Sequence, residues 1–234
     1  MSIKYLDTIT STNEYVKENI SLFSHLDAVY TLCQTNGKGR LGRTWSADGG
    51  IALSFYVKDA ENPMLIPLCA AVAVCNALEK SGINNLGIKW PNDILADGKK
   101  LCGILCEGVK DGYVVGIGIN NKQNKEFFIN SNLPHATSVA VLEYETLSEP
   151  EFVELCLQEL KNALYLTGVQ LIDVFARKCI NLGKKVKIIK NNQERIALAV
   201  DISSEGGLVV EIDGKREIVF SGEVSVRGIY GYAE

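Results

Sequence analysis

The sequence predicts an α+β protein in which a mixed, largely antiparallel sheet flanked by helices is followed by a small C-terminal β-barrel. Apolar runs typical of strands follow one another across short turns such as Lys110-Asp111-Gly112, which favours antiparallel neighbours over strict β-α-β alternation. Residues 67–80 are apolar on nearly every side, as an enclosed helix is. After Gly183 the hydrophobic pattern changes to period two and is interrupted by hairpin turns, which predicts short strands.

The elements of the larger part follow in chain order. The S-x-x-E pattern at residues 11–14 is a capping box, so we expect a helix from there to about residue 20. Short apolar runs bounded by Gly, Asn or Asp predict strands at residues 29–33, 51–57, 86–90, 101–107 and 113–119. The enclosed helix of residues 67–80 lies between the second and third of these strands and ends before Gly82.

Two more helices and a group of short strands complete the chain. A second capping-box pattern at residues 148–151, with an early proline, predicts an amphipathic helix that ends near Gly168, and a further helix is expected at residues 171–181. Strands are then predicted at residues 186–188, 196–202, 208–212, 217–220 and 224–229, with a turn at 191–192. Strands of this length are typical of an SH3-like or OB-like barrel. We therefore expect a larger domain of residues 1–183 and a small domain of residues 184–234.

The composition indicates an ordinary folded protein and argues against several classes. The net charge is −4, so the overall field does not attract the protein to nucleic acid or anionic lipid. Seven cysteines without a C-x-x-C pair and two histidines are poor material for a metal site, and none is predicted. No secretory signal is recognisable, and the most apolar stretch, residues 64–75, contains Pro67 and is short for a membrane span. We expect a cytoplasmic protein with reduced thiols and no membrane partner.

The stretch GKGRLGRTW, residues 37–45, matches the G-x-G-x-x-G fingerprint of dinucleotide-binding folds but also carries three cations. In a Rossmann unit the fingerprint opens a helix, whereas the residues after Arg43 lack helical periodicity. Lys38, Arg40 and Arg43 also bring more charge than a diester pyrophosphate needs. The loop therefore favours a triphosphate, or a carboxylate that meets a phosphate, as its ligand. A solvated basic hairpin is the alternative.

Two lysine-bearing stretches have both a functional and a structural interpretation. In KWPND, residues 89–93, Lys89 stands at a strand end, where an ammonium group can stabilise a developing negative charge. The same letters also make a good turn. Lys99 and Lys100 occupy a turn whose charges are more often simply solvated, and the following Gly103 marks a bulge or the close approach of a ligand.

Two further stretches suggest a ligand surface. In GIGIN, residues 116–120, glycines at alternate positions clear one face of a strand, so a small flat ligand could lie there beside Asn120. Ser11, Thr12 and Asn13 are explained by helix capping, and they could also present polar groups to a ligand.

Five stretches, taken in this order, resemble the motifs of biotin protein ligases: TSTN (10–13), QTNGKGRLGRTW (34–45), KWPND, KKLCGIL (99–105) and GIGIN. The stretch FSGEVSVRG (220–228) resembles the end of their SH3-like domain. The resemblance implies a catalytic domain like that of class II aminoacyl-tRNA synthetases. It also implies a biotin-[acetyl-CoA-carboxylase] ligase, which forms biotinyl-5′-AMP from biotin and ATP with Mg²⁺ and releases pyrophosphate. Biotin is then transferred to a lysine of a biotin carboxyl carrier protein domain.

The resemblance also implies roles by position. Lys89 would contact the biotin carboxyl and the α-phosphate, Lys100 would assist at the phosphates, and Asp93 would orient the site or the acceptor lysine. The implied catalytic residues are Lys89, Arg40 and Lys100. The implied biotin-binding residues are Ser11, Thr12, Asn13, Gln34, Gly37, Lys38, Gly39, Arg40 and Lys89. The implied nucleotide-binding residues are Arg40, Arg43, Trp45, Lys89, Asn92, Lys100, Asn120 and Arg227.

Two positions depart from the family pattern. Lys38 stands where the family often has Arg, and Leu41 where it often has a polar or basic residue, so we expect altered ordering of the loop. Larger members carry an N-terminal DNA-binding domain, whereas this sequence begins about ten residues before TSTN, so no DNA partner is expected. Association as a homodimer through sheet edges is compatible with the resemblance.

Three other functions remain as alternatives. A lipoate or octanoate ligase or transferase has the same fold but would lack the charged glycine loop and KWPND in this form. A nonenzymatic vitamin-binding module would bind biotin without turnover of ATP. An NAD-linked dehydrogenase rests on G-x-G-x-x-G alone.

Overall fold

The computed structural model describes residues 1–46, 48–190, 193–221 and 225–228. A seven-stranded sheet forms the centre of the larger part, in the order β1-β2-β3-β7-β6-β5-β4. Strand β1 pairs with β2 in parallel, and every other neighbouring pair in this sheet is antiparallel. The expected mixed sheet is thus confirmed. Its strands are β1 (Ile3–Tyr5), β2 (Ala28–Thr31), β3 (Gly50–Lys58), β4 (Leu86–Lys89), β5 (Asp93–Ala96), β6 (Lys99–Val109) and β7 (Gly112–Asn120).

Helices cover both faces of this sheet. They are α1 (Thr12–Glu18), α2 (Ile66–Lys80), α3 (Lys125–Asn130), α4 (Glu149–Leu164) and α5 (Gly168–Lys178). Helix α1 contacts β2, β3 and β7, and its Val16 packs with Tyr56 and Val114. Helix α2 packs against β4, β5 and β6, and α4 and α5 pack against it in turn. Because side chains alternate between the faces of a strand, Phe55 and Val115 join the α2 side and the main core.

Helix α2 is the most deeply buried of the five helices. Together with the preceding turn it forms an apolar segment, Pro63–Lys80, of 18 residues, which by length and composition alone would reach across a membrane. The most apolar stretch, residues 64–75, is only part of this segment. In the structure 67% of the segment is buried, because it packs between the sheet and α4. The expectation of an enclosed helix is confirmed.

A second, antiparallel sheet of five strands follows, in the order β11-β10-β9-β8-β12. Its strands are β8 (Lys185–Lys190), β9 (Gln193–Ile202), β10 (Leu208–Ile212), β11 (Lys215–Val219) and β12 (Ser225–Gly228). All five were predicted; residues 224 and 229 and the turn at 191–192 lie outside the described residues. Trp90 joins the two sheets, because its indole Nε1 donates to the carbonyl of Gly206 at 3.0 Å.

The predicted capping boxes are wrong, although the helix starts are nearly right. Ser11 and Ser148 are the N-cap residues of α1 and α4, but neither side chain makes a capping hydrogen bond. A capping box forms instead between Thr167 and Gln170. It opens α5 at Gly168, three residues before the predicted start, and α4 accordingly ends at Leu164.

Three elements were not predicted. Strands β1 and β5 and helix α3 are short, with three, four and six residues. Strand β5 begins at Asp93, the last residue of KWPND, and Asp93 pairs with Lys89 of β4 across a tight hairpin. The turn interpretation of KWPND was therefore correct for its centre, but its last residue already belongs to a strand.

Candidate functional site

A cavity of about 690 Å³ lies between the larger sheet, the 37–45 segment and the C-terminal sheet. Most of the predicted site residues line it: Ser11, Thr12, Asn13, Gln34, Lys38, Gly39, Arg40, Arg43, Trp45, Lys89, Asn92, Lys100, Asn120 and Arg227. Gly37 is the exception. A Cβ there would lie 2.3 Å from the Trp45 carbonyl oxygen and 2.6 Å from Gln34 Nε2, so Gly37 lets the chain pass close to itself and does not line the cavity.

Residues 37–45 form a hairpin, which we call the arginine hairpin. Trp45 N donates to the Gly37 carbonyl at 2.9 Å, and Gly39 N donates to the Arg43 carbonyl at 2.7 Å. The turn is closed by Leu41 and Gly42 at φ 56° and 72°. The hairpin joins β2 to its antiparallel neighbour β3, so the G-x-G-x-x-G pattern here does not open a Rossmann crossover helix. The alternative of a basic hairpin is correct for its backbone, but the hairpin also lines the cavity.

Arg40 ties the arginine hairpin to two other parts of the molecule. Its Nη1 donates to Asn92 Oδ1 at 2.8 Å, and its Nη2 donates to the carbonyl of Ser221. Asn92 is itself fixed, because its Nδ2 donates to the Ile104 carbonyl at 2.7 Å. The β4–β5 turn, the hairpin and the segment before β12 thus meet at one guanidinium group.

The glycines of β7 accommodate side chains of the protein itself. A Cβ at Gly118 would lie 2.2 Å from Trp45 Cε2, and one at Gly116 would lie 2.3 Å from Asn13 Oδ1. Gly103 on β6 faces the same indole, because a Cβ there would lie 3.2 Å from Trp45 Cζ3. The expectation that a flat ligand lies directly on this strand face is therefore wrong at Gly118, where the indole of Trp45 already covers the glycines. Its Nε1 is buried and has no hydrogen-bond partner among the described residues.

One end of the cavity is polar and uncharged. Thr12 donates to Gln34 Oε1 through both its backbone N, at 2.8 Å, and its Oγ1, at 3.2 Å. Asn13 is 4% exposed and accepts from Ser54 Oγ at 2.6 Å. This end lies over Gly116, whereas Asn120 on the same strand marks the other end, about 13 Å away at the usual rise of a strand.

The middle of the cavity holds two lysines around one carboxylate. Lys89 Nζ lies 3.9 Å from Asp93 Oδ2, and Lys100 Nζ lies 2.7 Å from Asp93 Oδ1. The pKa of Lys89 is lowered to about 8, mainly by burial and also by the nearby cations Lys100, Arg227 and Arg40, while Asp93 opposes the change. Lys100 also lies over the Trp45 ring, 5.6 Å from its centroid. Lys100 therefore belongs to the site, whereas Lys99 is exposed, as a solvated turn residue is.

The far end of the cavity contains residues that the sequence did not predict. Asn120 Nδ2 donates to the Thr137 carbonyl at 2.8 Å, and the wall beyond it includes Phe127, Leu133 and His135. These residues belong to α3 and the segment after it, which lack the glycine and charge patterns that identified the other motifs. Two adjacent phenylalanines in an otherwise polar stretch are the available signal.

The electrostatic balance of the cavity is opposite to that of the whole chain. Among the described residues, seven Lys or Arg side chains line it against two carboxylates, although the chain carries −4 overall. The cations are Lys38, Arg40, Arg43, Lys89, Lys100, Lys187 and Arg227, and the carboxylates are Asp93 and Glu194. Because low-dielectric walls focus such a field, the cavity is suited to a ligand with several negative charges.

The donor set does not form a dedicated cation site. Within the described ranges there is no group of three His, Cys, Asp or Glu side chains that could hold a metal ion. Asp93 lies beside Lys100, and Glu194 pairs with Lys187 at 3.0 Å.

Comparison with known proteins agrees with this geometry. Residues 5–124 match the model of the biotin/lipoate A/B protein ligase family, and residues 182–227 match that of the biotin protein ligase C terminal domain. The bifunctional ligase/repressor BirA of Escherichia coli is 29% identical over 97% of this chain and 74% of its own length. The biotin–[acetyl-CoA-carboxylase] ligase of Mycobacterium tuberculosis is 29% identical over 92% of this chain and 85% of its own length.

Among solved structures, the biotin protein ligase from Aquifex aeolicus in complex with biotin and ATP superposes with a TM-score of 0.85. It is 29% identical, and the match covers 97% of this chain and 99% of that one. The first family model alone accounts for more than half of the chain. On this evidence the chain belongs to the biotin/lipoate A/B protein ligase family.

Proposed function

We propose that this protein is a biotin–protein ligase. It forms biotinyl-5′-AMP from biotin and ATP, releases pyrophosphate, and transfers biotin to a lysine of a biotin carboxyl carrier protein domain. The observation that carries the proposal is the cavity itself, in which an uncharged polar end continues into a strongly cationic middle. An uncharged head group with a carboxylate tail that must meet a polyphosphate fits this order of environments.

In the first step a carboxylate oxygen of biotin attacks the α-phosphorus of ATP. The bond between that phosphorus and the bridging oxygen breaks, and pyrophosphate leaves with the electron pair. We assign Lys89 to the oxygens of the carboxylate and α-phosphate, because its buried ammonium group lies in the middle of the cavity. A preorganised cation in a water-poor site stabilises the charge that develops in the transition state. Lys100, held by Asp93 at 2.7 Å, assists at the phosphates.

The arginine hairpin serves to enclose the two anions. The contacts of Arg40 with Asn92 and Ser221 support a role in holding the hairpin across the cavity, with Lys38 and Gly39 beside the carboxylate. Exclusion of water protects a mixed anhydride from hydrolysis. Lys38 lies 2.8 Å from Glu14 Oε1 on α1, which fits the expectation that a lysine here orders the hairpin differently from an arginine.

The nucleotide occupies the far half of the cavity in this proposal. We assign to it four residues that line the cavity, Asn120, Trp45, Arg43 and Arg227, of which Arg227 belongs to the C-terminal sheet. Arg227 would then lie near the pyrophosphate, and a Mg²⁺ ion bound with the nucleotide would supply further positive charge.

In the second step the amine of a carrier lysine attacks the acyl carbon of the adenylate. The bond from that carbon to the phosphate oxygen breaks, AMP leaves, and the amine gives up a proton. Asp93 is the carboxylate that we assign to orient the site for this lysine.

The proposal places the protein in the cytoplasm. It also includes a domain boundary after residue 183, which is supported by the start of β8 at Lys185. A homodimer along the outer edge of β1 is the association that it includes.

Exchange of labelled pyrophosphate into ATP tests the first step, with biotin, lipoate, octanoate or no acid added. We expect exchange only with biotin. Exchange with lipoate or octanoate instead would assign the protein to the other branch of its family. Biotin binding without exchange would indicate a binding module. Labelling of a carrier domain by radioactive biotin then tests the transfer step.

A further inference from the structure

The amide of Asn13, at the uncharged end of the cavity, is held by three protein groups. Its Nδ2 donates to Glu107 Oε2 at 2.7 Å and to the Leu105 carbonyl at 3.3 Å, while its Oδ1 accepts from Ser54 Oγ at 2.6 Å. Glu107 does not line the cavity. It reaches the site only through Asn13.

These partners fix which way the amide points. A carboxylate and a backbone carbonyl only accept hydrogen bonds, so the atom that faces β6 must be the nitrogen. Both of its hydrogens are then directed at Glu107 and Leu105. The only hydrogen bond that Asn13 can still make to a ligand is therefore one that its Oδ1 accepts. A ligand group that contacts this amide must therefore donate a hydrogen bond.

The carboxylate of Glu107 is itself fixed, which makes the arrangement rigid. Its second oxygen, Oε1, lies 2.9 Å from Lys17 Nζ, and Lys17 lies 2.7 Å from Glu14. On the other side of Asn13, the α-carbon of Gly116 is so close that a Cβ would lie 2.3 Å from Oδ1. The amide is thus confined between strand β7 and the side chains of β6.

We propose that Glu107 is a positioning residue for the choice of substrate, because it holds Asn13 as a hydrogen-bond acceptor. The inference rests on the function proposed above. It predicts that the site selects an acid whose head group carries N–H donors, as the cyclic urea of biotin does. The dithiolane of lipoate and the alkyl end of octanoate have no such donor. They would leave the second lone pair of Asn13 Oδ1, beyond the one that accepts from Ser54, without a donor, which is how a polar site disfavours an analogue that lacks the matching group.

The test measures the dissociation constants of biotin, lipoate and ATP separately by calorimetry. Glu107→Met removes the acceptor at nearly constant volume, and we expect it to weaken biotin binding about tenfold or more. Binding of ATP and lipoate should stay within about twofold, so preference for biotin over lipoate falls by the same factor. Glu107→Gln retains a neutral acceptor and should lose less, which keeps the test decisive if the Met variant is unstable.

Two controls separate positioning from a general structural role. Lys17→Met removes the ion pair on Glu107 Oε1 but leaves Oε2 to accept from Asn13, so it should cost much less biotin affinity than Glu107→Met does. In an Asn13→Ala background, Glu107→Met should have almost no further effect, because its influence passes through that amide.

The inference is overturned if folded Glu107 variants bind biotin as the wild type does, or lose biotin and ATP affinity equally. A loss of the same size in Lys17→Met, or additive losses with Asn13→Ala, also overturns it. Failure of the wild-type protein to bind biotin would instead contradict the proposed function.

Discussion

Replacing Lys89 by methionine should make the ligand-free protein more stable while removing its adenylation activity. Lys89 is 6% exposed, and burial lowers its pKa from 10.5 to about 8. At about 1.4 kcal/mol for each pH unit, holding this lysine charged in the folded state at pH 7 costs about 3 kcal/mol. Methionine retains the apolar stem without the charge, and Asp93 keeps Lys100 at 2.7 Å.

The lowered pKa of Lys89 also determines how the free energy of unfolding changes with pH. A lysine whose pKa is lower in the folded state binds fewer protons there than in the unfolded chain between pH 8 and 10.5. Wild-type stability therefore rises with pH across that window, as the cost of burying the charge disappears. The difference between Lys89→Met and wild type should be about 3 kcal/mol at pH 7 and about half of that at pH 9.5.

Urea unfolding of both proteins at the two pH values measures this difference. Lys99→Met is the matched control, because Lys99 is exposed at the start of β6. It should change the free energy of unfolding by less than about 0.5 kcal/mol at either pH. If Lys89→Met is no more stable than wild type at pH 7, the reasoning is refuted. A gap that does not shrink at pH 9.5 would refute it as well.

Three further predictions concern activity. The kcat/KM for biotin in the exchange assay should fall as the pH rises through about 8, because the free enzyme loses the proton on Lys89; a flat profile to pH 9.5 would contradict the role of its charge. Gly118→Ala places a Cβ 2.2 Å from the Trp45 ring and should weaken ATP binding at least tenfold. Gly108→Ala is the control, because the nearest atom to its Cβ would be 3.7 Å away, and it should leave ATP binding unchanged. If the two variants have the same dissociation constant for ATP, the packing of Trp45 on Gly118 does not shape the nucleotide site. Arg40→Gly removes the group that ties down the hairpin and should release the adenylate, measured as increased biotinylation of a bystander protein; labelling at the wild-type level would argue against enclosure by Arg40.

The sequence predicted the elements whose patterns are local and long. The apolar runs of β3, β7 and α2 were identified within a few residues of their bounds, because each is a local run whose ends are marked by Gly or polar residues. Helix α5 was placed too late, since its start depends on a hydrogen-bonded pair, Thr167 and Gln170, and not on the first apolar residue. Strand β1, with three residues, is too short to show a period.

The site shows the same division between local motifs and long-range contacts. The cations of the hairpin and of KWPND were predicted because they stand beside glycines and a proline that mark turns. What the glycines of β7 accommodate was not predictable, because Trp45 lies more than seventy residues from Gly118 in the sequence and meets it only through the sheet. Glu107 was likewise missed, since its contact with Asn13 spans 94 residues.

The position of Trp90 bears on how such proteins can be divided or fused. This residue directly follows Lys89; its backbone N donates to Asn181 Oδ1 at 2.7 Å and its indole to Gly206 at 3.0 Å. Lys89 is thereby aligned by contacts with Asn181 and Gly206, which lie outside the motifs that predicted the site. The C-terminal sheet is accordingly not an interchangeable appendage, and a split or domain-swapped version of this protein has to carry residues 181–206 with the half that contains Lys89.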